Sequence, residues 1–153
     1  MTGRILVPVN GSARSNETLL SACKAAEAMK GGVIALYVIV LPLTIPLVDL
    51  PEEIDREGRS ILRQASQAAR SEGFTVATRL VRARDVATTI VSEAIELGVD
   101  FIFMAPDRHR PLWRTWFTPR ITEHVVRNAL CPVVVGEGRA SFQPPLASRR
   151  QTR

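Results

Sequence analysis

The sequence predicts an α/β protein with a parallel sheet covered by helices on both faces. Three observations carry this. Short runs rich in β-branched residues alternate along the chain with longer runs of helical period. The run VIALYVIV, Val33 to Val40, lacks polar alternation, as a strand buried on both faces requires. A length of 153 residues suits one domain with one core. Strands that alternate with helices imply right-handed crossovers and a parallel sheet.

Arg4 to Val9 (RILVPV) is an apolar run of strand length, and Asn10-Gly11-Ser12 reads as the turn after it. From Ala13 to Lys30, the apolar residues Leu19, Leu20, Cys23, Ala26 and Met29 recur at helical spacing. Ser12 suits the helix N-cap, and Gly31-Gly32 the stop. The second strand, Val33 to Val40, leads into a proline-containing connector, Leu41 to Leu50. Asp49 and Glu52 have the spacing of a capping box, with Pro51 in the first turn. The helix that follows runs to about Ser71, with Ile54, Ile61, Leu62, Ala65 and Ala68 on one face. Phe74 to Val81 reads as the third strand, with Phe, Val, Ala and Leu inward. Asp85 can cap a third helix carrying Val86, Ile90, Val91, Ala94, Ile95 and Leu97. Phe101 to Met104 is a short fourth strand, and Ala105 to Thr118 a loop. Thr118-Pro119 opens a fourth helix with Ile121, Val125 and Val126 apolar, and PVVV, Pro132 to Val135, is the fifth strand. The domain is expected to span 1–137. Residues 138–153, with Pro144-Pro145 and Arg149-Arg150, read as a mobile basic tail.

Composition narrows the setting. No secretory pattern opens the chain, and the longest apolar stretch, Val33 to Val48, is broken by Pro42, Thr44 and Pro46. Membrane insertion is therefore not expected. Cys23 and Cys131 lie far apart in apolar patterns, so no disulfide framework or zinc site is read and a reducing cytoplasm is expected. The net charge of +5 is uneven. Residues 1–103 carry 11 basic and 12 acidic residues; residues 104–153 carry 9 arginines and 3 acids. A basic region attracts phosphate or nucleic acid, or is a solvated face with a tail. No nucleic-acid recognition motif accompanies it, and no DNA partner is expected.

ILVPVNGS, Ile5 to Ser12, resembles the opening strand and turn of universal stress proteins. EHVVRNALCPVVV, Glu123 to Val135, is similar to that family's last helix, Cys-Pro turn and final strand. VSEAIELGVDFIFMA, Val91 to Ala105, fits its third helix and fourth strand. Leu50 to Ala94 is similar to members associated with transporters. The resemblance covers roughly Arg4 to Gly136. It implies a three-layer, doubly wound, five-stranded parallel sheet of order 3-2-1-4-5, Rossmann-like and akin to the adenine nucleotide alpha hydrolases. It also implies a homodimer paired through the last strand, Pro132 to Val135.

In ATP-binding members, an Asp after strand one and an apolar residue of strand two hold the adenosine, and glycines after strand four hold the phosphates. This chain has Asn10 at the Asp position and Val38 at the apolar one. After strand four it reads Ala105-Pro106-Asp107-Arg108-His109-Arg110-Pro111, and the later Gly-Ser appears as Pro119-Arg120. Glycine permits positive φ and close backbone approach to phosphate, and proline removes an N–H donor. An ATP cradle of the usual form is therefore not expected. In a doubly wound sheet the ligand crevice lies beyond the strand ends where the strand order reverses. Its expected lining is Pro8, Val9, Asn10, Ser12, Val38, Ala105, Arg108 and Arg120, holding a nucleotide or anion if any ligand.

The arginines Arg108, Arg110, Arg114 and Arg120, with His109, Trp113, Trp116 and Phe117 among them, have two readings. One is an anion site in which guanidinium groups replace backbone amides. The other is a surface loop whose aromatics pack while its arginines face water. His109 and His124 lack partners at ligand or triad spacing, and both cysteines read as small core hydrophobes. No enzymatic centre and no obligatory cofactor follow, with ATP or AMP as possible ligands. The expected function is regulatory or stress-adaptive and non-enzymatic. The alternatives are a nucleotide sensor using the arginine loop, or a module that docks on a transporter.

Overall fold

Val33–Val40 has the apolar content of a central strand, and in the computed structural model it is one. The structure describes residues 3–44, 52–105, 119–136 and 141–143. In chain order the elements are β1 (Ile5–Pro8), α1 (Ala13–Ala28), β2 (Val33–Val40), α2 (Glu52–Ser71), β3 (Ala77–Ala83), α3 (Val86–Leu97), β4 (Phe101–Met104), α4 (Pro119–Asn128), β5 (Val133–Val135) and β6 (Ser141–Gln143). They form one sheet of order β3-β2-β1-β4-β5-β6. The first five strands are parallel in the order 3-2-1-4-5, and β6 adds antiparallel to β5.

Side-chain alternation divides the core into two layers. Ile5, Val7 and Val9 face α1 and α2, where Leu19, Cys23, Leu62 and Ala65 cover them. Leu6, Leu36 and Val38 face the other way, with Ile102 and Met104, beneath Ile90 and Ala94 of α3 and Val125 of α4. Ile5, Leu6, Val7, Ile90 and Ile102 are fully buried. Burying one such side chain stabilises by about 1.5–3 kcal/mol, so these two layers hold the strand ends in place.

The helix boundaries follow local chemistry. Ser12 Oγ accepts from the Ser15 N–H at 3.1 Å and caps α1. Asp85 Oδ2 accepts from the Thr88 N–H at 2.9 Å and caps α3, which ends at Gly98 in the left-handed region. Gly58 lets α2 approach the sheet closely: a Cβ there would lie 2.8 Å from a Leu80 methyl and 3.1 Å from the Tyr37 ring.

Three boundaries differ from the sequence reading. α1 ends at Ala28, because the N–H groups of Met29, Lys30 and Gly31 close the last turn on Ala25, Ala26 and Glu27 carbonyls. The third strand begins at Ala77 rather than Phe74 and runs to Ala83. Gly73 turns the chain at φ +86, and the Phe74 N–H returns to the Ala69 carbonyl, so Phe74 and Val76 seal the helix end before pairing starts. Ala77, read as inward, is exposed. Within 138–153, Ser141–Gln143 forms β6; the remainder of that segment lies outside the described residues. The outer edge of β5, expected to face a second copy, is hydrogen-bonded to β6, with Val134 opposite Phe142. The expected caps Asp49 and Pro51 also lie outside the described residues.

Candidate functional site

β1 lies between β2 and β4, so the strand order reverses at its C-terminal end. Asn10, Gly11 and Ser12 leave the sheet there. Gly11 has φ +85, a conformation that favours glycine, and a Cβ on it would meet Ile61 Cγ1 at 3.3 Å. The turn is held by a compact polar network. Asn10 Oδ1 accepts from the Ser12 N–H at 3.0 Å, the Asn10 N–H donates to Ser15 Oγ at 3.3 Å, and the Ser15 hydroxyl donates to the Ser12 carbonyl at 3.0 Å. Asn10, Ser12 and Ser15 are all buried.

One atom of this network stands apart. Asn10 Nδ2 is buried and has no hydrogen-bond partner among the described residues. The bond from the Ser12 N–H fixes which amide atom is the oxygen, so the orphan is a donor. Leaving a buried donor unmade costs about 1–3 kcal/mol. A polar group from outside the chain would remove that cost.

Of the residues expected at the crevice, Pro8 to Ser12 span the end of β1 and the turn after it, Val38 lies in β2, Ala105 follows β4 and Arg120 lies in α4. Pro8 pairs with Leu36, and the Val9 N–H bonds the Leu36 carbonyl at 2.8 Å. The register ends there, and Val38 lies two residues beyond Leu36 on β2. The side chains of Val9 and Val38 belong to opposite core layers, and both are buried in the core. Ala105 follows β4 directly and is buried. Arg120 is exposed in the first turn of α4. Arg108, and with it the cluster His109, Arg110, Trp113, Arg114, Trp116 and Phe117, lies outside the described residues.

The sequence reading missed two polar groups here. Ser15 lies on the buried face of α1, where a serine three residues after a capping serine is the available signal. Thr122, in the first turn of α4, is buried with Oγ1 unpartnered among the described residues. A single threonine among Arg120, Ile121 and Glu123 gives no such signal.

Neither described thiol is activated. Burial pushes the Cys23 thiol up to about 11, and burial followed by the charge of Asp100 does the same for Cys131. The His124 carbonyl accepts from Asn128 Nδ2 at 2.8 Å within α4, as in an ordinary surface helix. Among the described residues no cluster of three His, Cys, Asp or Glu side chains is placed to hold a metal ion. No described helix is long and apolar enough to cross a membrane.

The universal stress protein family model matches residues 1–135. The chain belongs to the universal stress protein family. A universal stress protein of Methanocaldococcus jannaschii is 28% identical over 141 residues, covering 86% of this chain and 80% of that protein. The crystal structure of a universal stress family protein from Burkholderia pseudomallei superposes with a TM-score of 0.66 at 26% identity, covering 89% of this chain and 96% of that one. Two further universal stress proteins share the fold below 25% identity. One, crystallised with cAMP, has a TM-score of 0.67 at 18% identity and covers 89% of this chain and 97% of that one. The other, from Archaeoglobus fulgidus in complex with dAMP, has a TM-score of 0.68 at 20% identity and covers 86% and 95%.

Proposed function

We propose that this universal stress protein is a non-enzymatic regulator whose crevice takes a nucleoside monophosphate in preference to Mg-ATP. The observation that carries this reading is the orphaned Asn10 Nδ2, a fixed, buried donor in the turn after β1, where the sheet order reverses. A fixed amide donor suits a nucleoside, which has ring and ribose acceptors. The triphosphate half is less well provided, since Ala105 to Pro111 contains no glycine and two prolines. The cAMP-bound and dAMP-bound relatives lend support from the fold, because both ligands carry a single phosphate.

Calorimetric titration of the full chain with AMP, cAMP and ATP, with and without magnesium, tests this. The expected result is micromolar binding of AMP or cAMP, with ATP-magnesium no tighter. ATP-magnesium binding about tenfold tighter than AMP, near 1.4 kcal/mol, would overturn it in favour of an arginine-built triphosphate cradle. Phosphate release from ATP on mixing with the full chain would count against a non-enzymatic role. Absence of binding by all three nucleotides would leave regulation through protein partners, a transporter among them. A cytoplasmic setting accords with two separate buried or half-buried free thiols.

A second copy is the other expected partner. Pairing of two chains along β5 competes with β6, which occupies the same edge. The homodimer is therefore a contested one, and β6 is the element that sets its strength.

A further inference from the structure

β3 ends the sheet on the side away from β6, and among the described residues β2 is its only neighbour strand. An edge strand presents a row of unpaired backbone N–H and C=O groups. The Ala83 carbonyl accepts from the Leu41 N–H at 2.9 Å on the β2 side. Backbone direction alternates along a strand, so Thr78, Leu80 and Arg82 turn their N–H and C=O groups outward.

Beside this edge a groove of about 600 Å³ runs between α2 and β3. Leu62 and Leu80 give it apolar lining, Arg59, Arg63 and Arg70 form the helix wall, and Thr78 stands on the strand side. The arginines are four and seven residues apart, which puts them on one stripe of the helix. From Arg59 to Ser71 the helix carries these three arginines and no carboxylate. Arg59 already pairs with Asp55 at 2.8 Å. Arg63 and Arg70 are exposed, and no described carboxylate pairs with either.

We propose that this edge and groove bind an extended acidic peptide segment of a partner protein, which adds to the sheet as a strand beside β3. The outward backbone groups of Thr78, Leu80 and Arg82 supply the ladder. Alternate side chains of the added strand turn toward α2, where carboxylates meet Arg63 and Arg70 and an apolar residue meets Leu62 and Leu80. A second copy of this chain fits poorly, because antiparallel pairing across β3 would set one arginine stripe against the other. Nucleic acid fits poorly as well, because the groove lining holds no aromatic residue on which a base can stack. The proposal is independent of the nucleotide crevice, which lies two strands away at β1.

The test is amide NMR of the full chain with four probes. These are a synthetic Val-Glu peptide of about eight residues, Glu-Thr-Val-Thr repeated so that Glu and Val share one face, the same peptide N-methylated on its ladder-forming amides, a Val-Lys peptide with Lys in place of each Glu, and a single-stranded oligonucleotide. The Val-Glu peptide is expected to shift the Thr78, Leu80 and Arg82 amides and slow their hydrogen exchange, leaving Asn10 and Ser12 unmoved. The double variant Arg63→Glu, Arg70→Glu changes two exposed side chains with no described carboxylate partner; placing a carboxylate in the last turn of α2 should lower the thermal midpoint only slightly, while peptide affinity falls about tenfold or more. Equal binding of the N-methylated peptide would overturn strand addition, and equal binding of the Val-Lys peptide would overturn charge recognition. Stronger shifts of the same amides by the oligonucleotide would reassign the surface to nucleic acid.

Discussion

At the scale of single residues, Asn10 shows how one side chain can hold a turn and leave a donor over. Its carbonyl is committed to Ser12, so Asn10→Ala removes the partner of a buried backbone N–H as well as the orphan amide. That substitution is expected to cost about 1–2 kcal/mol by chemical denaturation. If the orphan meets a nucleotide, it also weakens AMP by about tenfold in the same calorimetric assay. The thiols make a second case. Raised from 9.0 to about 11, each has about a hundredfold less thiolate near neutral pH than an unperturbed cysteine. Alkylation by iodoacetamide should be slow in the native protein and fast in urea. Asp85 is a third. Hydrogen bonds from the Thr88 hydroxyl and then its N–H hold the carboxyl below its ordinary value. A depressed carboxyl contributes stability that is present above its unfolded value and lost as pH falls through its folded one. Asp85→Ala should therefore cost about 1 kcal/mol at neutral pH. The difference from the parent should shrink in acid, below the usual carboxylate value of about 3.9.

At the scale of elements, the helix–sheet contacts depend on a missing side chain and on two ion pairs. Gly58→Val would drive a branched group into Leu80 and the Tyr37 ring, and about 2 kcal/mol of overpacking is expected in denaturant titration. Glu93 of α3 is buried and pairs with Arg79 of β3, which is partly exposed. Arg79→Ala strands that carboxylate and should cost about 2 kcal/mol, below the range for fully buried pairs. Most elements were legible because their signals are local: the apolar run of β2, the caps Ser12 and Asp85, and the glycines after α1 and α3. What escaped depends on the partner element. Asp55 and Glu93 look like solvated helix positions. They are buried because Arg82 and Arg79 arrive from β3, 27 and 14 residues away. The start of β3 moved for a similar reason, since Phe74 and Val76 pack as strand residues would but have no ladder partner on β2. In the site, Asn10 and Ser12 were readable as a turn. The unpaired state of Asn10 Nδ2 was not, because it depends on where every neighbouring acceptor ends up.

At the scale of the whole molecule, the two ends of the sheet differ. One end is β3, flanked by arginines; the other is β6 laid over β5. Truncation after Gly136 removes β6 and uncovers β5. Sedimentation equilibrium should then show stronger self-association than in the full chain, and unchanged or weaker association would mean that β5 is not the pairing edge. The central position of β1 also has a consequence in time. Its contacts with β2 close short loops through α1, but Ile5 pairs with Phe101, and Arg4 exchanges hydrogen bonds with Asp100 across 96 residues. Distant closures are slow to form because chain entropy is lost before the contact is rewarded. The β1–β2–β3 half with α1 and α2 is therefore expected to order before the seam between β1 and β4 closes. That seam borders the crevice, so the candidate ligand site is complete only when residues 96 positions apart have met.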